Sequence, residues 1–119
     1  MPSRNKIFLM GNLTRDVELR YTTNKTAVAN FGLAVNRKWK GENGSVKESV
    51  CFIEVVAWGK QAEACAKYLE KGSLVDVEGR LDFETWDQDG QTRSKHKVTV
   101  EDIQFLPDGK KNREPGEGE

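Results

Sequence analysis

Val46-Lys-Glu-Ser-Val-Cys-Phe-Ile-Glu-Val-Val-Ala-Trp58 runs without a break into Gly59-Lys-Gln-Ala-Glu-Ala-Cys-Ala-Lys-Tyr-Leu-Glu-Lys71. The first stretch alternates. Its odd positions Cys51, Ile53, Val55 and Ala57 are apolar and are assigned to a core, while Phe52, Glu54, Val56 and Trp58 mix aromatic rings with charge. Period 2 is the mark of a half-buried strand. The second stretch changes period, with Ala62, Cys65, Ala66 and Leu69 at the i, i+3, i+4, i+7 spacing of an amphipathic helix. Lys71-Gly72 supplies the stop. A strand that hands directly to one helix is the feature around which the rest of the chain is arranged.

Before this junction, Lys6-Ile-Phe-Leu-Met-Gly-Asn-Leu13 is a short apolar run closed by turn formers, a first strand. Residues 27–39 form a second. There Ala29, Phe31, Leu33 and Val35 share one parity and Asn30, Gly32, Ala34 and Asn36 the other. Gly41-Glu-Asn-Gly44 turns the chain into the third strand at Val46. After the helix, residues 74–86 return to period 2. Val75, Val77, Leu81 and Phe83 point one way; Asp76, Glu78, Arg80, Asp82, Glu84 and Trp86 point the other. Asp87-Gln-Asp-Gly90 reads as a hairpin connection to a last strand over residues 92–106. In that strand the apolar parity slips between Val100 and Ile103, which predicts a bulge near Glu101-Asp102.

Three strands, one helix and two strands make an all-β chain with one helix. The order fits a five-stranded Greek-key barrel of the OB type, the helix lying between strands 3 and 4. Other small barrels share that order. The 119 residues suit one domain, read as 1–106, which is large enough to fold without a disulfide or a metal. Residues 107–119 carry no aliphatic or aromatic side chain to bury, prolines apart, and are expected to form a short disordered tail. No apolar run has membrane-spanning length and the first residues lack a signal-peptide core, so a cytoplasmic location is expected.

The net charge is zero, which excludes a protein basic over its whole surface. Its distribution is uneven: residues 4–71 hold 12 Lys/Arg against 7 Asp/Glu, and the remainder reverses those numbers. A local excess of that size can supply an electropositive face for a polyanion, although scattered solvated charge gives the same counts.

A binder of single strands needs flat rings for bases and cations for phosphates. Four aromatics stand where a core does not require them. Trp86 is on the polar parity of its strand, Phe52 and Trp58 are on the charged face of the third strand, and Trp39 is set among Arg37, Lys38 and Lys40. A tryptophan at a strand end can equally be a packing residue, and Trp58 can lie under the helix. Lys6, Arg20, Lys47, Lys60 and Lys71 are spread over the strand ends as candidate phosphate contacts. Catalysis finds no support. His96 sits in Arg93-Ser-Lys-His-Lys97 as a surface residue, and Asp82 and Glu84 read as the solvent side of a strand. Cys51 and Cys65 have no histidine near them in sequence to complete a metal site. No catalytic residue, metal or cofactor is expected.

Several ordered segments resemble the bacterial single-stranded DNA-binding proteins. They are Lys6-Ile-Phe-Leu-Met-Gly-Asn-Leu-Thr-Arg-Asp16, Glu18-Leu-Arg-Tyr21, Ala27-Val-Ala-Asn-Phe31, Glu54-Val-Val-Ala-Trp-Gly-Lys60, Tyr68-Leu-Glu-Lys-Gly-Ser73 and Val77-Glu-Gly-Arg-Leu81. The resemblance covers residues 3–106. It implies an OB fold, a homotetramer, and sequence-tolerant binding of single-stranded DNA during replication, recombination and repair. Family stacking positions fall on Trp39, Phe52, Trp58 and Trp86, and family phosphate contacts on Arg4, Lys6, Arg20, Lys47, Lys60 and Lys71. Phe52 replaces a usual tryptophan, and Trp58 stands where phenylalanine is common.

The chain also departs from the family. Glu54, Asp82 and Glu84 stand where well-known members carry basic residues, so weaker or more salt-sensitive binding is expected, and Glu54→Arg should tighten it. Family members usually end in an acidic tip with an apolar anchor that docks replication and repair proteins. Here Glu114-Pro-Gly-Glu-Gly-Glu119 has no anchor, so poor recruitment of such partners is expected. The alternative reading is an OB-fold protein-interaction adaptor of the replication-restart type, against which the four retained aromatics argue.

Overall fold

The computed structural model describes residues 2–109. Along the chain come β1 (Ile7–Leu13), β2 (Glu18–Tyr21), β3 (Ala27–Lys40), β4 (Val46–Trp58), α1 (Gly59–Tyr68), β5 (Ser73–Gln88) and β6 (Gln91–Gly109). The strands lie in the order β1-β5-β6-β4-β3-β2, and β1 also pairs with β3, which closes the sheet on itself. The closed part is a five-stranded barrel of β1, β3, β4, β5 and β6, the OB architecture expected from the sequence. Helix α1 joins its third and fourth strands.

The short β2 is an addition. It pairs antiparallel with β3 through Glu18↔Asn30 to Tyr21↔Ala27 and hangs from the barrel's edge. All four of its residues are exposed, so the alternation of Glu18-Leu-Arg-Tyr21 covers no core and is too short to mark a strand by itself.

Closure depends on β1 being shared. All of it but the last residue pairs with β5, Ile7↔Gly79 to Asn12↔Leu74, and its end pairs with β3, Asn12↔Ala34 and Leu13↔Leu33. Gly11 stands at the change of partner. A Cβ there would overlap the backbone carbonyl of Ala34, so only glycine lets the two strands approach this closely.

Inside, the odd positions of β3, β4 and β5 converge. Phe31, Leu33, Val55, Ala57, Val75 and Val77 are fully buried, with Val98 from β6. Helix α1 caps the barrel with Ala62 and Cys65. Burial pushes the Cys65 thiol up to about 11, so it remains protonated and inert at neutral pH.

The helix ends three residues before the expected Lys71, and the reason is local. Glu70 N–H donates to Ser73 Oγ, Ser73 N–H donates to Glu70 O, and Lys71 N–H donates to an Asp16 carboxylate oxygen. Those bonds hold residues 70–73 in a turn.

The expected bulge is found. Glu78 pairs with Asp102 and Gly79 with Val100, so Glu101 is the extra residue of β6. Beyond it the core parity changes from Val98 and Val100 to Ile103, which packs against the core.

Two core assignments do not hold over their full length. Cys51 is exposed, and so are Leu81 and Phe83. The β3–β4 and β5–β6 ladders extend past the barrel as two-stranded arms, where the core parity has nothing to cover it. Strand β6 runs to Gly109, three residues past the expected end at Leu106. The rest of the expected tail, residues 110–119, lies outside the described residues. None of the described helices is long and apolar enough to cross a membrane.

Candidate nucleic-acid interface

The outward parity of the sheet forms one curved face. On β4 it carries Phe52, Glu54, Val56 and Trp58, placed by the register beside Ala34, Gly32, Asn30 and Val28 of β3. On its other side, β4 runs parallel to β6, with Glu54↔Lys97 and Val56↔Thr99. Strand β5 continues the face through Asp82↔Lys97, Glu84↔Lys95 and Trp86↔Arg93. Small or slender residues on β3 leave room beside the large ones on β4.

Across this face runs a groove of about 380 Å³. Trp58 lines it together with Arg15, Arg20, Lys95 and Lys97, and with Glu18, Glu54 and Glu84. Trp58 is 48% exposed at the N-cap of α1, so it does not lie under the helix. Trp86 is 38% exposed on the β5–β6 arm, with the Lys95 ammonium 5.8 Å from its ring centroid. Phe52 is 71% exposed and shares a second hollow with Thr14, Arg15 and Gly32.

Trp39 is set apart from these three. The β3–β4 ladder is unbroken from Val28↔Trp58 to Lys40↔Val46, so Trp39 keeps the parity of Phe31 and Leu33. It therefore lies on the opposite face of the arm from Phe52. There it is 39% exposed, stacked by the Arg37 guanidinium at 4.5 Å and cross-strand from Lys47.

The candidate cations separate in the same way. Arg20 lines the groove, and its Nη2 donates to Asn30 Oδ1 at 3.2 Å. Lys47 belongs with Trp39 in a hollow at the tip of the arm. Lys6 does not line the groove. Its ammonium donates to Glu101 at 2.7 Å and Glu78 at 3.2 Å, and these hydrogen bonds, Glu101 first, raise its pKa above the ordinary lysine value. Arg4, Lys60 and Lys71 are exposed and likewise stand outside the groove.

The sequence reading missed Arg15, Lys95 and Lys97. Arg93, Lys95 and Lys97 recur at period 2, a signal available in the sequence but read there only as the surroundings of His96. That histidine packs instead against Phe83, ring centroids 4.9 Å apart. Arg15 carried no such signal, because only the fold brings it over β3.

Three carboxylates of this face, Glu54, Glu84 and Asp82, are paired. Arg15 holds Glu54 at 3.0 Å, Lys97 holds Glu84 at 3.5 Å and Arg80 holds Asp82 at 3.5 Å. Asp82 also accepts from the Thr99 hydroxyl. The repulsion expected of them toward a phosphate path is therefore partly offset within the protein. Asp82 and Glu84 are committed to these cations and do not converge on a shared centre.

Known proteins resemble this chain in sequence and in fold. The model of the single-strand binding protein family matches residues 4–106. A single-stranded DNA-binding protein of Wolinella succinogenes is 52% identical over 103 residues, 86% of this chain and 64% of that protein. One from Helicobacter hepaticus is 50% identical over 112 residues, covering 91% of this chain and 66% of the relative. The chain thus spans about two thirds of the length of these curated relatives. Among solved structures, a Plasmodium falciparum SSB complex with ssDNA superposes with a TM-score of 0.81 at 26% identity, over 89% of this chain and 97% of that one. A deletion mutant of the Thermus aquaticus single-stranded DNA binding protein gives a TM-score of 0.76 at 37% identity, over 87% and 50%.

Proposed function

This chain belongs to the single-strand binding protein family, and from that premise we propose that it binds single-stranded DNA with little regard for sequence. In this reading bases stack on Trp58, Trp86, Phe52 and, on the arm, Trp39, while Lys and Arg side chains hold phosphates. Its role is to cover single strands in replication, recombination and repair, in the cytoplasm and at the nucleoid, without catalysis.

One observation carries the reading: exposed rings and cations alternate on a single continuous sheet face. Trp58 and Trp86 bracket Lys95 and Lys97 there, and Arg20 lies beside Trp58 in the groove. Stacking is indifferent to sequence because every base offers a π-face. Phosphate contacts are equally indifferent.

The test is a titration with poly-dT at several salt concentrations, followed by tryptophan fluorescence. Strong quenching is expected, with affinity falling at a log–log slope of about −0.7 per phosphate contact. A salt-resistant remainder should persist from stacking. Absence of quenching would favour the protein-interaction adaptor and end this reading.

The same reading includes a homotetramer. Phe8 and Met10 on the outer side of β1 are exposed, as are Val46 on one arm and Phe83 on the other. That is more apolar surface than a barrel of this size would leave in water without cause, and symmetric self-association is the usual way to cover it. Sedimentation at micromolar protein should give four chains per particle. A monomer alone would leave these residues unexplained and refute the assembly.

A further inference from the structure

We propose that Arg15 is a phosphate-binding residue of this face, and that Glu54 occupies its guanidinium in place of a phosphate until single-stranded DNA displaces the carboxylate. The inference rests on the reading of the face as a single-strand binding surface. It adds a contact and a competitor that neither the motifs nor the comparisons assign.

The geometry begins at the end of β1. Thr14 N–H donates to Gly32 O at 2.9 Å, which draws residues 14 and 15 across β3. A Cβ on Gly32 would collide with Thr14 Oγ1 and Arg15 Nη1, so the side chain of Arg15 crosses in the space that Gly32 leaves open. Gly32 is the cross-strand neighbour of Glu54. Arg15 Nη2 therefore reaches both carboxylate oxygens of Glu54, at 3.0 and 3.2 Å. Asn30 Nδ2 donates to one of those oxygens at 3.3 Å, and Arg20 in turn donates to Asn30.

A guanidinium and an amide converging on two anionic oxygens form the donor set that a phosphate diester takes. The accessibility of the pair suits an exchange. The Glu54 side chain is 19% exposed and that of Arg15 is 44%, so the guanidinium keeps an open flank. Arg15 also lies between the rings, lining the Trp58 groove and the Phe52 hollow alike. A strand laid from one ring to the other passes over it. Binding would then exchange one anion for another on Arg15, which lowers the affinity gained from that contact.

The experiment is a double-mutant cycle with Arg15→Ala, Glu54→Gln and the pair, measured on oligo-dT across salt concentrations. Thermal melts confirm folding, and Arg15→Gln replaces Arg15→Ala should the latter not fold. Glu54→Gln should tighten binding, and by roughly two- to fivefold more with Arg15 present than without it, the strength of one partly exposed ion pair. In the Glu54→Gln background, Arg15→Ala should weaken binding and flatten the salt slope by about 0.7, one phosphate contact. Equal tightening in both backgrounds would mean that Glu54 acts only as diffuse charge, and the competition is overturned. An unchanged slope on loss of Arg15 overturns the contact. If the unaltered chain fails to bind oligo-dT, the underlying reading falls and this inference with it; if it binds and the cycle shows neither effect, this inference alone falls.

Discussion

Alanine at Trp58 or at Trp86 is expected to weaken binding of oligo-dT by roughly 1–3 kcal/mol each, the usual contribution of one stacked base. Each ring is held on the outer face by backbone geometry. Trp58 is the last residue of β4 and precedes the helix with extended φ and ψ of −123° and 152°, so its ring projects from the sheet face and does not follow the helix. Trp86 takes its outward direction from the β5–β6 register, which is regular from Gly79 to Gln88, and is backed by Lys95. Either substitution removes little from the core, since both side chains are already well exposed, and the melting temperature should barely move. Fluorescence adds a second readout. The chain has three tryptophans, so the doubly substituted protein reports on Trp39 alone. Quenching that survives there would place the strand on the arm as well as in the groove. Unchanged affinity in both single variants would remove stacking from the mechanism.

Phe31→Ala has the largest expected effect on stability, a loss of about 3–5 kcal/mol. Phe31 is fully buried and is the largest side chain in the barrel's interior. It projects from β3 beside Ala29 and Leu33, with Val55 opposite on β4. No neighbour can move into the space without opening the ladder that closes the barrel, so the cavity would persist. A domain of this size has only about 5–15 kcal/mol in hand. Urea unfolding should show a fall in the midpoint with a nearly constant slope. A loss below about 1 kcal/mol would mean that the barrel collapses around the gap, contrary to tight packing at this position.

The strands of the barrel and its helix were legible because each has one apolar parity and one polar parity, or a clear 3.6-residue period. Even the bulge at Glu101 was legible, since an extra residue must invert the parity that follows it. Rings on the wrong parity for a core, Phe52, Trp58 and Trp86, could be picked out by the same rule. Strand β2 could not, because its alternation, Glu18-Leu-Arg-Tyr21, is only four residues long and, exposed throughout, faces no core. Nor could the exposure of Cys51, Leu81 and Phe83. Parity says which way a side chain points, but only the length of the barrel decides whether anything lies there to cover it. Trp39 keeps the parity of Phe31 and Leu33, and the β3–β4 register therefore sets it on the opposite face of its arm from Phe52, although both read as aromatics among charges.

The cations depended most on tertiary structure. Lys6 was an obvious candidate in the sequence, yet folding brings Glu78 and Glu101 to it from strands about seventy or more positions away. Arg15 was anonymous in the sequence, yet the missing side chain of Gly32 lets it cross β3 to the centre of the face. Local periodicity determines strand, helix and facing, because those are set by bonds a few residues long. Which charges meet is decided by closure of the barrel, which brings together residues that no local pattern relates.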